Sequence, residues 1–151
     1  MIQEIDNFRL ITGTLGTGGQ PTADQLAAIR DAGYQVVINL AMPDSDDALP
    51  GEADLVRELG MSFKPIPVVW TEPTLDDLKV FFETMDREQG NKVFVHCIKN
   101  YRVSVFVFLY RVIRLGVPLR TARKAMLDVW QPNRIWQRFV DEALAKYGMQ
   151  A

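Results

Sequence analysis

Short β-like apolar runs alternate along this chain with stretches of helical periodicity, and that alternation leaves few folds open. The runs fall near Phe8 to Ile11 and at about 35–40, 63–69 and 92–96. Helical patterns occupy about 22–32, 51–59, 74–88, Val105 to Leu115, 119–129 and 132–147. In the third of these, Leu75, Leu78, Phe81, Phe82 and Met85 recur at helical spacing. Thr22 is placed to cap the first helix, with Gln25 completing a capping box; Leu26, Ile29 and Arg30 set its face, and Gly33 ends it. Thr74 and Asp77 repeat the capping spacing, which marks Asp77 as structural. Trp136, Phe139 and Val140 fall at core spacing in the last helix. Strands separated by helices build a mainly parallel sheet covered on both faces. The expectation is one α/β domain over 1–151, with four or five strands. A chain of 151 residues can bury a sizeable core but is too short for two ordinary domains.

In such a sheet, ligands bind beyond the carboxyl ends of the strands, and one strand end carries unusual chemistry. Val93-Phe94-Val95-His96-Cys97-Ile98-Lys99-Asn100-Tyr101-Arg102-Val103-Ser104 holds the chain's only Cys and only His side by side. The segment reads as a strand, a tight loop and a helix N-terminus. Backbone N–H groups at a helix start point at whatever occupies the loop, and the dipole favours negative charge there. The same field favours a thiolate over a thiol, which makes Cys97 a candidate nucleophile. His96 is read as orienting the loop and tuning that thiol. Asn100 suits a tight turn because Asn tolerates positive φ better than other residues with a side chain. Arg102, with Lys99 as a second cation, opposes the helix dipole and so calls for an anion or an acidic partner. Ser104 is placed to cap the helix.

The run resembles the signature of the cysteine-dependent protein tyrosine phosphatases, and within them the compact dual-specificity-like bacterial members. That signature is a strand ending in His-Cys, five variable residues, Arg, then Ser or Thr at a helix start. Here four residues separate Cys97 from Arg102, Ser104 stands seven after the Cys, and Asn100 stands where the family usually has Gly. Aligned on Cys97, Asn100 and Ser104, the loop keeps its length and Val103 takes the Arg position. Aligned on Arg102, it is one residue short. Upstream, Leu15-Gly16-Thr17-Gly18-Gly19-Gln20-Pro21-Thr22 and, after Gly33, Gln35-Val36-Val37-Ile38-Asn39-Leu40 are similar to the opening of those bacterial phosphatases. The similarity runs from about residue 8 to about residue 115.

The resemblance implies that Cys97 attacks a phosphoryl group and forms a phosphocysteine intermediate. Arg102 would bind two of its oxygens through the planar guanidinium fork, within a cradle formed by Ile98, Lys99, Asn100, Tyr101, Arg102 and Val103. Ser104 is implied as a hydrogen-bond donor to the sulfur. The leaving oxygen needs a proton. The family's Asp follows the preceding strand, where Val69 or Trp70 stands here, so Glu72 is the first candidate acid and Asp76 the second. The implied substrate is a phosphorylated protein, phosphotyrosine among them, or a small phosphate ester. Two alternatives stay open: a phosphate-binding module without turnover, and sulfur transfer. The second arises because the rhodanese sulfurtransferases also have a short Cys-to-Arg loop. No Asp-Val-Arg strand or Gly-His-Ile-Pro-Gly-Ala turn of that family precedes the loop.

Composition narrows the classes further. With 48% apolar and 24% charged residues the chain is ordinary for a globular protein, and a net charge of -2 gives no global pull toward nucleic acid or membrane. Arg111, Arg114, Arg120, Arg123 and Lys124 fall on helix faces without the aromatic interleaving of a single-strand groove. A lone Cys excludes an internal disulfide and suits a reducing compartment. No signal-like start or bilayer-length apolar run is present, so a cytoplasmic location is expected. One His and one Cys, adjacent, make no zinc cluster, and the carboxylates have no recognisable cation-site spacing. No metal or other cofactor is expected. Asp44, Asp46, Asp47 and Glu52 follow the Val-Ile-Asn-Leu strand as an acidic loop, read as solvated surface with one member available to Arg102.

Overall fold

The parallel strands end in one row, and that row decides where a ligand can sit. The computed structural model describes residues 1–149; the expected domain runs to Ala151, so Gln150 and Ala151 lie outside the described residues. Five strands, β1 (Arg9–Thr12), β2 (Leu15–Gly18), β3 (Val36–Asn39), β4 (Ser62–Pro65) and β5 (Val93–His96), form one sheet in the order β1-β2-β5-β3-β4. β1 runs antiparallel to β2, and the remaining pairs are parallel. Their register sets Gly18 beside His96, His96 beside Asn39, and Asn39 beside Pro65.

β-branched and aromatic residues make β3 and β5 strands, and burial on both faces explains why neither carries a polar stripe. Val36, Ile38, Val93 and Val95 enter a core with Phe81, Phe106, Trp136 and Phe139. Val37 and Phe94 point the other way, into a cluster with Ile5, Leu26, Ile29 and Val56. This alternation is the period of two of a strand covered by helices on each side.

Six α-helices follow the pattern of the sequence among the described residues: α1 (Ala23–Asp31), α2 (Glu52–Glu58), α3 (Leu75–Arg87), α4 (Tyr101–Ile113), α5 (Leu119–Leu127) and α6 (Arg134–Lys146). Both capping boxes form. Gln25 N donates to Thr22 Oγ1 at 3.1 Å, Thr22 N to Gln25 Oε1 at 3.0 Å, and Thr74 and Asp77 exchange the same pair of bonds. Three expectations change. Arg30 does not share the buried face of α1; it is exposed beside Asp31, and Ala28 is buried along with Leu26 and Ile29 instead. α4 starts at Tyr101, four residues before Val105, because it is buried from Arg102 to Tyr110 and has no polar face to mark its beginning. β2 lies in the glycine-rich stretch Leu15-Gly16-Thr17-Gly18, outside the apolar runs expected to be strands.

The glycines of that stretch answer to crowding. A Cβ on Gly16 would lie 2.5 Å from the Tyr34 hydroxyl, and one on Gly19 would collide with the Ile98 carbonyl. Gly19 is where the chain leaving β2 touches the loop leaving β5, through an isolated bridge to Lys99. Gly19→Ala should therefore lower stability by about 1–3 kcal/mol in denaturant titration. Gly13→Ala, where an added Cβ meets nothing within 4 Å, should change it by less than about 0.5 kcal/mol.

Candidate active site

Between β5 and α4 the chain turns through Cys97, Ile98, Lys99 and Asn100. Asn100 makes the turn possible: its φ is +68°, in the left-handed region, and it forms the N-cap of α4. Where Gly would adopt that φ freely, Asn adds ties, its Nδ2 donating to Asn7 O at 2.8 Å and to Thr17 Oγ1 at 3.1 Å.

Every carbonyl through this turn is held by a donor. His96 O accepts from Leu40 N at 2.9 Å, Ile98 O from Gln20 N at 2.9 Å, and Asn100 O from Ser104 N at 2.9 Å. Cys97 O faces His96 Nδ1 at 3.0 Å, so that nitrogen carries a proton, since a carbonyl only accepts. Lys99 O accepts from Asn7 Nδ2 at 2.9 Å, and Tyr101 O from Ser104 Oγ at 2.7 Å. The amides of Ile98, Lys99, Tyr101, Arg102 and Val103, by contrast, have no acceptor among the described residues. Unpaired backbone donors are rare in folded chains. Gathered at the positive end of α4, they are placed to donate to an anion, and the loop has the geometry of an anion cradle.

Cys97 and Arg102 line one hollow of about 350 Å³, together with Trp70, Ile98, Lys99 and Tyr101. The cysteine is 1% exposed and the arginine 7%. Arg102 Nη1 donates to Val68 O at 2.9 Å, and its Cζ lies 5.9 Å from the centroid of the Trp70 ring. No carboxylate pairs with it among the described residues. A buried, unneutralised guanidinium is unfavourable until an anion joins it. Val103 is fully buried in the core, so Arg102, not Val103, faces the hollow. The loop is therefore the version one residue short.

An aromatic wall borders the cation. Trp130 stacks on Tyr101 at 4.6 Å and approaches Trp70 at 5.5 Å. Trp136 Nε1 donates to Trp70 O at 2.8 Å, which ties the segment after β4 to α6.

Other candidates lie elsewhere. Ser104 neither caps α4 nor offers its proton to the sulfur; its hydroxyl donates to Tyr101 O and accepts from Trp130 Nε1 at 2.9 Å. Glu72 and Asp76 are exposed and do not line the hollow. In the acidic loop Asp44, Asp46 and Asp47 are exposed. Glu52 is neither solvated nor beside Arg102: it is 6% exposed, with Oε2 2.5 Å from His96 Nε2. Sequence reasoning missed this pair, and also Asn7, Gln20 and Trp70. The Gly-Gln-Pro turn was the available signal for Gln20; Glu52 looks like any surface acid. No group of three or more His, Cys, Asp or Glu side chains is placed to hold a metal ion, and no helix is long and apolar enough to cross a membrane, among the described residues.

Comparison with known proteins agrees with this geometry. A family model described as "DSP-PTPase phosphatase fused to NAD+ Kinase" matches residues 10–138. The crystal structure of a candidate phosphatase (DUF442) from Shewanella putrefaciens CN-32 superposes with a TM-score of 0.88 at 35% identity, over 97% of this chain and 96% of its own. PTPMT1, solved with PI(5)P, shares the fold at a TM-score of 0.79 and 17% identity over 95% of this chain and 97% of its own. So does Tk-PTP in its active form, at 0.76 and 19% over 93% and 97%. No curated protein sequence matches. The chain belongs to the dual-specificity-type protein tyrosine phosphatase family that this model describes.

Proposed function

We propose that this chain hydrolyses phosphate monoesters with Cys97 as nucleophile. The observation that carries the reading is the single hollow shared by that thiol and the unpaired guanidinium of Arg102. The thiolate sulfur bonds to phosphorus as the bond from phosphorus to the leaving oxygen breaks. Water then attacks phosphorus, the sulfur–phosphorus bond breaks, and phosphate departs with regeneration of the thiolate. Arg102 and the free amides stabilise the negative charge on the phosphoryl oxygens through both steps. Fold relatives set a range of esters: TpbA from P. aeruginosa was solved with pTyr and PTPMT1 with PI(5)P, and SIW14 from S. cerevisiae is a PP-IP phosphatase. The wall of Trp70 and Tyr101 favours a planar group beside the phosphate, so aryl phosphates, phosphotyrosine included, are the first substrates to try.

The decisive experiment is p-nitrophenyl phosphate turnover between pH 5 and 8. Cys97→Ser should reduce it by about three orders of magnitude or more while tungstate still binds by calorimetry. Turnover that survives the loss of the thiol would end this reading. Arg102→Lys replaces a two-pronged fork by a point charge and should lower kcat/KM by about 100-fold or more.

One observation favours a second reading, an anion-binding relative without turnover. No carboxylate lines the hollow, and the segment where the acid would stand is tied by Arg102 to Val68 and by Trp136 to Trp70. Under the first reading the leaving oxygen then draws its proton from solvent or departs as an anion. Rates across a series of aryl phosphates should rise about threefold to tenfold per unit fall in leaving-group pKa. Glu72→Gln and Asp76→Asn should leave them within about twofold. A flat series with a tenfold loss in Glu72→Gln would instead identify Glu72 as the acid. No hydrolysis of even the most activated ester, with tungstate still bound, would select the second reading.

A further inference from the structure

Behind the cradle lies a buried carboxylate that the chemistry above does not use. Glu52, in the first turn of α2, accepts on Oε1 from Gln20 Nε2 and from Asn39 Nδ2, each at 3.3 Å, and meets His96 Nε2 through Oε2 at 2.5 Å. These partners stand at the ends of three different strands: Gln20 just after β2, Asn39 closing β3 and His96 closing β5. His96 is fully buried, and its ring has acceptors at both nitrogens, the Cys97 carbonyl and the Glu52 carboxylate. Among the described residues Glu52 is the one ionisable side chain hydrogen-bonded to the ring.

Two of the ties lead directly into the loop. His96 passes from Glu52 to the Cys97 carbonyl at 3.0 Å, and Gln20, held through its side chain by Glu52, donates its own backbone N–H to the Ile98 carbonyl at 2.9 Å. These are the carbonyls of the nucleophile itself and of the residue after it. Turned inward, either would set a partial negative charge against the phosphoryl oxygens and misdirect the amide that follows it.

We infer that Glu52 is a positioning residue which, through His96 and Gln20, keeps the carbonyls of Cys97 and Ile98 turned away from the hollow so that sulfur and amides face the phosphoryl group. The inference rests on the reading of Cys97 as the nucleophile. The work is done by place rather than by charge. A Gln at position 52 can donate to His96 Nε2 and still accept from Gln20 and Asn39. An Asp keeps the charge but withdraws it by one methylene.

The pair Glu52→Gln and Glu52→Asp separates the two. Cys97 is the only cysteine, so iodoacetamide alkylation at pH 6 reports on that thiol alone, and its slowing by inorganic phosphate reports on the cradle. In Glu52→Asp the phosphate concentration giving half protection should rise at least fivefold and kcat/KM for p-nitrophenyl phosphate should fall at least tenfold. In Glu52→Gln both should stay within about threefold of the natural chain. Equal damage in the two variants would overturn the assignment, and so would a Glu52→Asp chain that melts earlier but binds phosphate unchanged. Protection by phosphate needs no turnover, so a chain without hydrolysis would fail the proposed activity and still decide the role of Glu52.

Discussion

A loop that receives a phosphoryl group has to send its carbonyls one way and its amides the other, and the peptide bond makes that hard. Each plane carries both groups pointing in opposite directions, so the outward carbonyls need partners or the arrangement relaxes. Here the partners come from widely separated parts of the chain. Asn7 lies before β1, Gln20 follows β2, Leu40 follows β3, and Ser104 sits within α4. The fold's main service to the site is to bring these donors to one edge. It does so because β2, β5, β3 and β4 end in register.

The same constraint explains features that otherwise look unrelated. Gly19 is small because Ile98 O must come within reach of Gln20 N. Asn100 accepts a left-handed backbone because the amides after it must turn together. Ser104, whose place in the signature suggests work on sulfur, holds the Tyr101 carbonyl and anchors Trp130, which stacks on Tyr101. The aromatic wall and the cradle are thus joined through one hydroxyl.

Much of this was legible in the sequence, for identifiable reasons. β3 and β5 are short runs of β-branched and aromatic residues, and the capping boxes of α1 and α3 are local patterns over four residues. Cys97 and Arg102 stand close enough in sequence to be grouped at once. What stayed hidden depends on distance or on crowding. β2 contains two glycines, which carry no strand preference of their own. The start of α4 has no polar face to announce it. Whether Arg102 or Val103 faces the hollow is a matter of one residue's rotation about a helix, which spacing alone leaves ambiguous. Glu52 meets Asn39, Gln20 and His96 across 13, 32 and 44 residues of chain; nothing local distinguishes it from its exposed acidic neighbours. Glu72 and Asp76 stand near the expected acid position along the chain, but proximity in sequence does not bring either into the lining of the hollow.

On the proposed function, the unneutralised guanidinium of Arg102 also ties the stability of the whole fold to its solvent. A folded chain that holds a destabilising buried cation and a row of unpaired donors gains whatever free energy an anion releases on entering, and the unfolded chain, lacking the cradle, gains nothing comparable. Mass action then adds about 2.7 kcal/mol when a binding anion is present at 100 times its dissociation constant. For a domain of this length that amounts to a melting point several degrees higher. Under the proposed function, a phosphate buffer and a buffer without oxyanions therefore define two different reference states for this protein, and mutational stabilities measured in one do not transfer to the other.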